Sequence, residues 1–298
     1  MTASNFKIAY QGAPGAFSHA ASKILSERYL KQADCELIGM RSFSQVFAAA
    51  QNDARTYACL PIDNSSIGSI SDNYDLLWDA KLRLLAQYCM PIHHQLLGIE
   101  GSKIEQITEV YSHPAALEQC RKLFQRFPRM QEHPFFDTAA ASRMIKEKGS
   151  VELAAIGSEL AAREYGLIVL SPNIEDYPHN QTRFVLVGKA EHAKAPQSFP
   201  LRFSFGMEGG RDLNALTALA PLLGDYVQFK KIESRPNPAT PWEYRLFIDL
   251  LVLKGHSDRS SASGTETVEG AGKSLEEQIK ALIPHSRFFG SYNDYTAS

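Results

Sequence analysis

A hydroxyl and a guanidinium stand side by side at positions 182 and 183, where a polar loop meets an apolar strand. The loop covers residues 175–181, and the strand-like run follows at residues 184–187. A threonine hydroxyl donates one hydrogen bond, and a guanidinium can hold a carboxylate through two parallel N–H groups. Thr182 and Arg183 are therefore the first candidates for a site that acts on a small organic anion. Because neighbouring strand residues face opposite ways, Arg183 could instead point to solvent.

Five strand-to-helix turns that carry small or hydroxyl side chains precede this pair. They are the segments QGAPGAFS and DNSSIGSI, and the junctions at Pro114, Thr138 and Ser158. The pattern predicts Ser18 as a helix cap and Gly166 as a helix stop. In open α/β sheets, ligands bind beyond the carboxyl ends of the strands, where helix N-termini attract anions. Together the turns predict a crevice for a carboxylate or a phosphate, although each hydroxyl alone could be only a helix cap.

Composition and motif content exclude several classes of partner and cofactor. The chain of 298 residues has a formal net charge of −2 and no clustered basic run, so no nucleic-acid partner is expected. It contains neither a G-x-G-x-x-G nor a Walker sequence, and its histidines and four scattered cysteines lack metal-ligand spacing. We therefore expect no metal and no cofactor. The N-terminus is not signal-like and no apolar run could span a membrane, which predicts a cytoplasmic protein without a membrane partner.

The order of predicted elements indicates two kinds of fold in one chain. Strand and helix patterns alternate over the first two-thirds, which predicts an α/β fold with a largely parallel sheet. The polar segment at residues 189–199 is typical of a linker. Beyond it, the predicted order β-α-β-β-α-β is that of a small ferredoxin-like domain.

Seven motifs follow one another along the chain in a specific order. They are AYQGAPGAFSHAA, LPIDNSSIGSISDNYDLL, SHPAALEQC, DTAAAS, AAIGSELAAREYGL, NQTRFVLVG and KIESRPNP. In this order they resemble the motifs of prephenate dehydratases, including the related arogenate dehydratases, that carry a C-terminal ACT regulatory domain. The resemblance implies a two-lobed catalytic domain, like a periplasmic binding protein, at residues 1–190. Lobe one would comprise 1–80 plus 175–190, lobe two 81–174, and a ferredoxin-like (βαββαβ) ACT domain 199–298.

The resemblance also implies an activity and a set of site residues. The chain would be a carbon–oxygen lyase that converts prephenate to phenylpyruvate in L-phenylalanine biosynthesis. Thr182 would donate a proton or a hydrogen bond to the departing hydroxyl, and Arg183 would supply charge to a carboxylate. The implied substrate-binding residues are Ala16, Phe17, Ser18, Asn64, Ser65, Ser112, His113, Thr138, Ala139 and Ala140. The implied effector-binding residues are Leu213, Asn214, Ala215, Glu233, Ser234 and Arg235.

Three positions depart from the family pattern. Asp63 replaces the usual glutamate, Ala16 replaces the threonine of many prephenate dehydratases, and Leu213 replaces the glycine of the effector motif. Ala16 leaves arogenate open as the substrate, and its dehydration would give L-phenylalanine directly. Leu213 weakens the inference that L-phenylalanine is an effector, because glycine lets the backbone of a bound amino acid approach closely. ACT domains usually pair across subunits, so the resemblance also implies a homodimer or a homotetramer.

Two interpretations of other classes stay open. A cytosolic two-lobed sensor could have kept the cleft and lost the chemistry. The altered Ala16 and Asp63 favour it, whereas the intact Thr182-Arg183-Phe184 opposes it. In a third interpretation the ACT domain is the main functional part and binds an amino acid to regulate a partner. Turnover of prephenate or arogenate separates the enzyme from both.

Overall fold

The structure, a computed structural model, describes residues 6–31, 35–210, 214–223, 226–253 and 267–296. Its elements, in chain order, are β1 (Lys7–Gln11), α1 (Phe17–Leu25), β2 (Glu36–Met40), α2 (Phe43–Asn52), β3 (Thr56–Asn64), β4 (Gly68–Ser69), α3 (Ser71–Asp79), β5 (Arg83–Pro91), β6 (Gln95–Gly98), β7 (Glu109–Ser112), α4 (Pro114–Glu118), α5 (Arg121–Arg126), β8 (Gln131–Pro134), α6 (Thr138–Lys148), β9 (Leu153–Gly157), α7 (Glu159–Tyr165), β10 (Ile168–Ser171), β11 (Gln181–Gly188), β12 (Leu201–Gly210), β13 (Val227–Pro236), β14 (Tyr244–Val252), α8 (Val268–Leu282) and β15 (Arg287–Asn293).

Two mixed sheets form the two lobes of the first part of the chain. The first has the order β2-β1-β3-β11-β5, with the short β4 paired to β3, and the second has the order β10-β6-β9-β7-β8. Strands β2, β1 and β3 are parallel, and so are β9, β7 and β8. The other pairs are antiparallel. In the first sheet these include β5 and β11, the strands that carry the chain out of the first lobe and back into it. The α/β prediction is confirmed, but each sheet is less parallel than the sequence suggested.

The crossing between the lobes lies later in the chain than the sequence indicated. Residues 81–174 were expected in lobe two, yet β5 pairs with β11 in the first sheet over residues 83–91. The apolar side chains of β5 explain this position, because Leu85, Tyr88 and Met90 are buried in the core of the first lobe. The second lobe therefore begins after Pro91, and β11 returns the chain beside β3.

The C-terminal part has the predicted ferredoxin-like architecture. Its four-stranded sheet has the order β13-β14-β12-β15, and all its pairs are antiparallel. A 3₁₀ helix at Asn214–Leu222 replaces the first predicted α-helix, and Pro221 lies within it. A proline in a helix interior removes a backbone hydrogen bond, which disfavours a regular α-helix there. Helix α8 covers the same sheet through Leu275 and Ile279.

The other face of the C-terminal sheet packs on the first lobe. Phe247, Phe289 and Tyr292 from β14 and β15 join one buried cluster with Tyr74 and Trp78 of α3. The ring centroids of Trp78 and Phe247 are 5.4 Å apart, in an edge-on arrangement that aromatic pairs favour. The C-terminal domain is thus held against the face of the first lobe that carries α3.

Candidate active site

A cavity of about 710 Å³ lies between the two lobes. The carboxyl end of β3 and the start of β11 contribute Asn64 and Thr182 to its wall, and the beginnings of five helices, α1, α2, α3, α4 and α6, face it. Its lining includes the predicted residues Ala16, Phe17, Ser18, His113 and Thr138. Four of the five predicted turns, those at residues 11–18 and 63–70 and at the junctions of Pro114 and Thr138, therefore meet at this crevice, whereas the turn at Ser158 lies outside its lining.

Thr182 and Asn64 form a buried pair across neighbouring strands. They lie opposite each other in the antiparallel register of β3 and β11, and Asn64 Nδ2 donates to Thr182 Oγ1 over 2.9 Å. The backbone N–H groups of Ser66 and Ile67 donate to Asn64 Oδ1 at 2.9 and 3.1 Å. Because a backbone N–H only donates, these contacts fix which end of the Asn64 amide is the oxygen. The Thr182 hydroxyl therefore accepts a hydrogen bond from Asn64 and keeps its own proton for another partner.

A row of side-chain amides extends from this pair to a buried histidine. Asn64 Nδ2 also donates to Asn180 Oδ1 over 2.8 Å, and Asn180 Nδ2 donates to Gln119 Oε1 over 2.9 Å. His94 Nε2 lies 2.9 Å from the same Gln119 oxygen. Since that oxygen can only accept, Nε2 carries the proton of the imidazole ring. The row therefore runs from the backbone N–H groups beside Asn64 to Gln119 Oε1, which accepts from Asn180 on one side and from His94 on the other.

The His94 ring is held neutral. Burial lowers the pKa of His94 below its ordinary value, because a charged imidazolium would lose its hydration. Its Nδ1 atom is buried and has no hydrogen-bond partner among the described residues. The Glu175 carboxylate instead bonds the His94 backbone N–H over 2.8 Å and lies 2.8 Å from Nδ1 of the neighbouring His93. His94 therefore supports the site as a neutral donor.

The helices that begin at the cavity differ in whether a side chain accepts hydrogen bonds from the free N–H groups of their first turn. The Asp137 carboxylate accepts from the N–H groups of Ala139 and Ala140, at 2.7 and 3.4 Å. These two amides were expected to hold the substrate, but Asp137 caps helix α6 with them. Helix α1 has no such cap, because its N-cap residue is Ala16 and not the predicted Ser18. The start of α1 is thus the more available anion site.

The glycine turn at residues 12–16 is fastened to the second lobe. Asp137 Oδ2 accepts from the Ala13 N–H over 2.7 Å, and Ser158 Oγ donates to the Gly15 carbonyl over 2.6 Å. Gly15 has a φ of +92°, and a Cβ atom there would lie 2.8 Å from the Cα of Ala161. Only glycine accommodates both the backbone conformation and this close approach. The position of the first turn of α1 therefore depends on the second lobe.

Two predicted substrate ligands besides Ala139 and Ala140 lie outside the cavity lining. Ser112 is fully buried, and its hydroxyl donates to the Ile156 carbonyl of β9 over 2.7 Å. The Ser65 hydroxyl accepts from the Gln181 N–H over 2.9 Å and so joins the end of β3 to the start of β11. Both serines were expected to contact substrate, and in this structure both complete backbone hydrogen bonds that shape the wall.

Arg183 points away from the cavity, on the opposite face of β11 from Thr182. Its Nε donates to Asp63 Oδ2 over 2.8 Å, and its Nη1 donates to Asp249 Oδ2 of the C-terminal sheet over 2.5 Å. Lys231 of the C-terminal sheet forms a second ion pair with Asp63. The expectation that Arg183 charges a substrate carboxylate does not fit this placement, because successive strand residues face opposite sides. Its guanidinium instead joins the two domains.

The predicted effector residues of β13 also contact the first lobe. Glu233 bonds the Ser69 hydroxyl of β4, and Arg235 donates to both carboxylate oxygens of Asp75 at 3.1 and 2.6 Å. Ser234 pairs with Leu246 within the sheet. Asn214 and Ala215 begin the 3₁₀ helix, and Leu213 lies outside the described residues. In this structure the charged residues of the motif serve the contact between domains.

Several residues of the site were missed in the sequence. His94, Gln119, Arg41 and Asp137 line the cavity, and Asn180, outside the lining, joins Gln119 to Asn64. Asn180 could have been found, because it lies two positions before Thr182 at the mouth of a strand. His94 and Gln119 carry no local signal, since their partners lie 25 and 61 residues away.

No metal cluster and no membrane helix emerge from the described part of the chain. Within those residues, no three His, Cys, Asp or Glu side chains lie close enough together to hold a metal ion. None of the helices described is long and apolar enough to cross a membrane.

Comparison with known proteins identifies the family. The sequence profile of prephenate dehydratases matches residues 8–192. The bifunctional chorismate mutase/prephenate dehydratase of Enterobacter agglomerans is 32% identical over 246 residues, which cover 82% of this chain and 62% of that protein. The chloroplastic arogenate dehydratase/prephenate dehydratase 1 of Arabidopsis thaliana is 35% identical over 240 residues, which cover 80% of this chain and 59% of that protein.

A solved structure shows the same architecture. The prephenate dehydratase of Arthrobacter aurescens in complex with L-Phe superimposes with a TM-score of 0.78 at 24% identity, and the match covers 96% of this chain and 89% of that chain. The chain spans about 60% of the length of the two curated relatives. The profile covers more than half of the chain, and the cavity residues described above, from Ala16 to Thr182, lie within it. The chain belongs to the prephenate dehydratase family.

Proposed function

We propose that this chain is a carbon–oxygen lyase that converts prephenate to phenylpyruvate, carbon dioxide and water. The observation that carries the proposal is the direction of the hydrogen bond at Thr182. Asn64 donates to Thr182 Oγ1, so the threonine proton is left to point at a group in the cavity. A hydroxyl that leaves a substrate ring is the acceptor that such a donor would assist.

The chemistry needs a hydrogen-bond donor at one end of the ring and little more. The ring carboxylate leaves as carbon dioxide, its bonding electrons enter the ring, and the C–O bond opposite breaks to release hydroxide. The prephenate dianion takes up one proton overall and yields the phenylpyruvate anion, carbon dioxide and water. Aromatisation supplies the driving force, and no cofactor takes part. Because a threonine hydroxyl is a poor acid at neutral pH, we assign Thr182 to hydrogen-bonding the developing hydroxide.

The remaining walls suit a ring that loses charge. Phe17, Ile92, Phe136 and Phe184 line the cavity beside the polar row. An apolar surrounding favours the loss of a carboxylate as neutral carbon dioxide, because the charged ground state is poorly solvated there. The uncapped start of α1, with the backbone of Phe17 and Ser18, offers N–H groups to a carboxylate. His113 adds a donor, since its Nδ1 accepts from the Ala115 N–H and the neutral ring carries its proton on Nε2.

Arogenate is the second candidate substrate, and the Arabidopsis relative bears both names. Ala16 lines the cavity without a side-chain hydrogen-bonding group, so it gives neither substrate an extra donor.

We further propose that residues 199–298 form an ACT regulatory domain and that L-phenylalanine is its effector. We also propose that the chain assembles as a homodimer or a homotetramer. The Arthrobacter protein was solved in complex with L-Phe, which supports an effector of this kind.

Turnover of the two substrates tests the proposal directly. The purified chain, Thr182→Val and Thr182→Ser would each be given prephenate or arogenate, and phenylpyruvate and phenylalanine would be measured. We expect Thr182→Val to lose about a hundredfold or more in kcat, and Thr182→Ser to retain most activity because it keeps the hydroxyl. Full activity of Thr182→Val would refute the role of the hydroxyl. Binding of both substrates without turnover by the unaltered chain would favour the sensor interpretation.

A further inference from the structure

Arg41 supplies a positive charge to the cavity, although no motif singled it out. It lies between β2 and α2, and its exposed side chain lines the cavity beside Phe43. Among the residues that the structure describes, it is the one lysine or arginine in the lining. Its backbone N–H bonds Gln45 Oε1 over 3.0 Å, and none of the ion pairs found among those residues involves its guanidinium. A dianionic substrate therefore meets one full cationic side chain in this cavity.

None of the other ionisable groups in the cavity lining can supply the positive charge that Arg41 supplies. Burial lowers the pKa of both His94 and His113, so both rings are neutral near pH 7. Asp137 and Asp72 are acidic, and Asp137 is occupied by the N–H groups of Ala13 and helix α6. The start of α1 contributes only the partial charge of a helix N-terminus. The balance of charge at the mouth of the cavity thus depends on Arg41.

The shape of the substrate directs its carboxylates toward this arginine. In prephenate the departing hydroxyl is on C4 of the ring, and both the ring carboxylate and the pyruvyl group are on C1, directly opposite. Among the lining residues Thr182 is 7% exposed and Arg41 is exposed, so Thr182 belongs to the buried side of the cavity and Arg41 to the side open to solvent, its mouth. A substrate whose hydroxyl meets Thr182 must therefore point C1 and its two carboxylates toward the mouth.

We propose that Arg41 binds the pyruvyl carboxylate, the one that remains in the product. This inference rests on the proposed function. The ring carboxylate loses its charge as carbon dioxide departs, so a cation on it would stabilise the ground state and slow the reaction. The pyruvyl carboxylate keeps its charge from substrate to product. A guanidinium there contributes binding energy that is equal in the ground state and the transition state.

Separate measurement of KM and kcat tests whether Arg41 binds the pyruvyl carboxylate. We expect Arg41→Gln to raise KM for prephenate about 10–100-fold and to leave kcat within about twofold, because uniform binding is lost. Arg41→Lys should recover part of the affinity, since it restores the charge without the two-pronged geometry. Arg55→Gln is the matched control. It removes an exposed arginine at the opposite end of β3 and should leave both constants unchanged.

Product binding gives a readout that does not depend on turnover. Isothermal titration calorimetry with phenylpyruvate should show the same 10–100-fold loss of affinity in Arg41→Gln, whereas neutral phenylacetone should bind both proteins equally. An unchanged KM and phenylpyruvate affinity in Arg41→Gln would overturn the inference, and so would an equal loss in Arg55→Gln. A fall in kcat with constant KM would also overturn it. If the unaltered chain turns over neither substrate, the proposed function fails, and the phenylpyruvate titration still decides the role of Arg41.

Discussion

The two faces of the β3–β11 strand pair have different roles, although adjacent residues supply them. One face lines the cavity, and the other contacts the C-terminal sheet. On the face toward the cavity, Asn64 lies opposite Thr182, and the pair is neutral, buried and open to the space between the lobes. On the reverse face, Asp63 lies opposite Arg183, and this pair is charged and bound to the C-terminal sheet. One Asp-Asn dipeptide and one Thr-Arg dipeptide thus supply both a site and a joint between domains.

The difference shows how closely the site and the domain contact are tied. Burial alone would raise the pKa of Asp63, but Arg183 and Lys231 more than offset it and hold the pKa below its ordinary value. Asp63 is therefore charged at neutral pH and satisfied by partners from both domains. The cavity face has no such need, because amides and a hydroxyl balance their hydrogen bonds without charge. Substitutions on the charged face should affect stability, and substitutions on the neutral face should affect rate.

Removal of the charge of Arg183 should have the largest effect. Arg183→Met leaves Asp63 and Asp249 partly buried with one cation fewer, and we expect a loss of about 3–5 kcal/mol in the free energy of unfolding. Urea denaturation followed by circular dichroism measures it. Arg163→Met is the control, because Arg163 pairs with Glu159 on an exposed helix surface and should cost under about 0.5 kcal/mol. If Arg183→Met were instead as stable as the unaltered chain but had lost turnover, Arg183 would serve catalysis rather than the contact between domains.

Asn64→Asp should place a negative charge on the neutral cavity face without changing the shape of the side chain. The introduced carboxylate still accepts from Ser66 and Ile67, but it can no longer donate to Thr182, whose hydroxyl would then donate to that carboxylate. We expect kcat to fall about a hundredfold, because the donor to the departing hydroxyl is diverted.

A double substitution sharpens this prediction. If Asn64 acts through the threonine hydroxyl, adding Thr182→Val to Asn64→Asp should reduce kcat little further than either change alone. If the fold loss of kcat in the double variant equalled the product of the two single losses, the residues would act independently. Thermal melts of all three variants would establish that each one is folded.

The sequence predicted what depends on order along the chain and failed where distant segments meet. The division into two lobes was implied only by the family resemblance. The α/β pattern of the first part, the ferredoxin-like order of the last part and the meeting of Ala16, Asn64, Thr138 and Thr182 at one crevice follow from alternating patterns and from the positions of the turns. The direction of Arg183 does not, because alternation shows that it opposes Thr182 but not that Asp249, 66 residues later, lies behind it.

Hydrogen-bond competition was the other source of error. Ala139 and Ala140 begin a helix as expected, but their N–H groups are taken by Asp137, the residue immediately before that helix. Asp is a preferred N-cap, so this occupant was readable in the motif DTAAAS. The row from Asn64 to His94 was not readable, since it joins four separate segments whose proximity only the folded lobes create.

Lys231 should have a smaller effect than Arg183, on the same charged face. Lys231→Met removes one of the two cations on Asp63 and the donor to Ser69 Oγ at 2.6 Å, but Arg183 keeps Asp63 paired. We expect a loss of about 1–2 kcal/mol in unfolding free energy with kcat unchanged. Lys230→Met, an exposed neighbour on the same strand, is the control. A large fall in kcat with little loss of stability would show that the two faces are coupled in catalysis.

The smallest effect concerns the pH dependence contributed by His94, on the cavity face. The pKa of His94 is lowered in the folded protein, so below about pH 6.5 the unfolded chain binds the proton more readily and stability falls as pH falls. The loss from this one group is at most about 1.4 kcal/mol at pH 5.5, if the folded ring stays neutral there. Unfolding free energies between pH 7.5 and about pH 5.5 should therefore decrease less steeply in His94→Gln than in the unaltered chain. His285→Gln, at an exposed histidine, should keep the original slope. Equal slopes in all three proteins would mean that His94 is protonated in the folded state, and its role as a neutral donor to Gln119 would have to be abandoned.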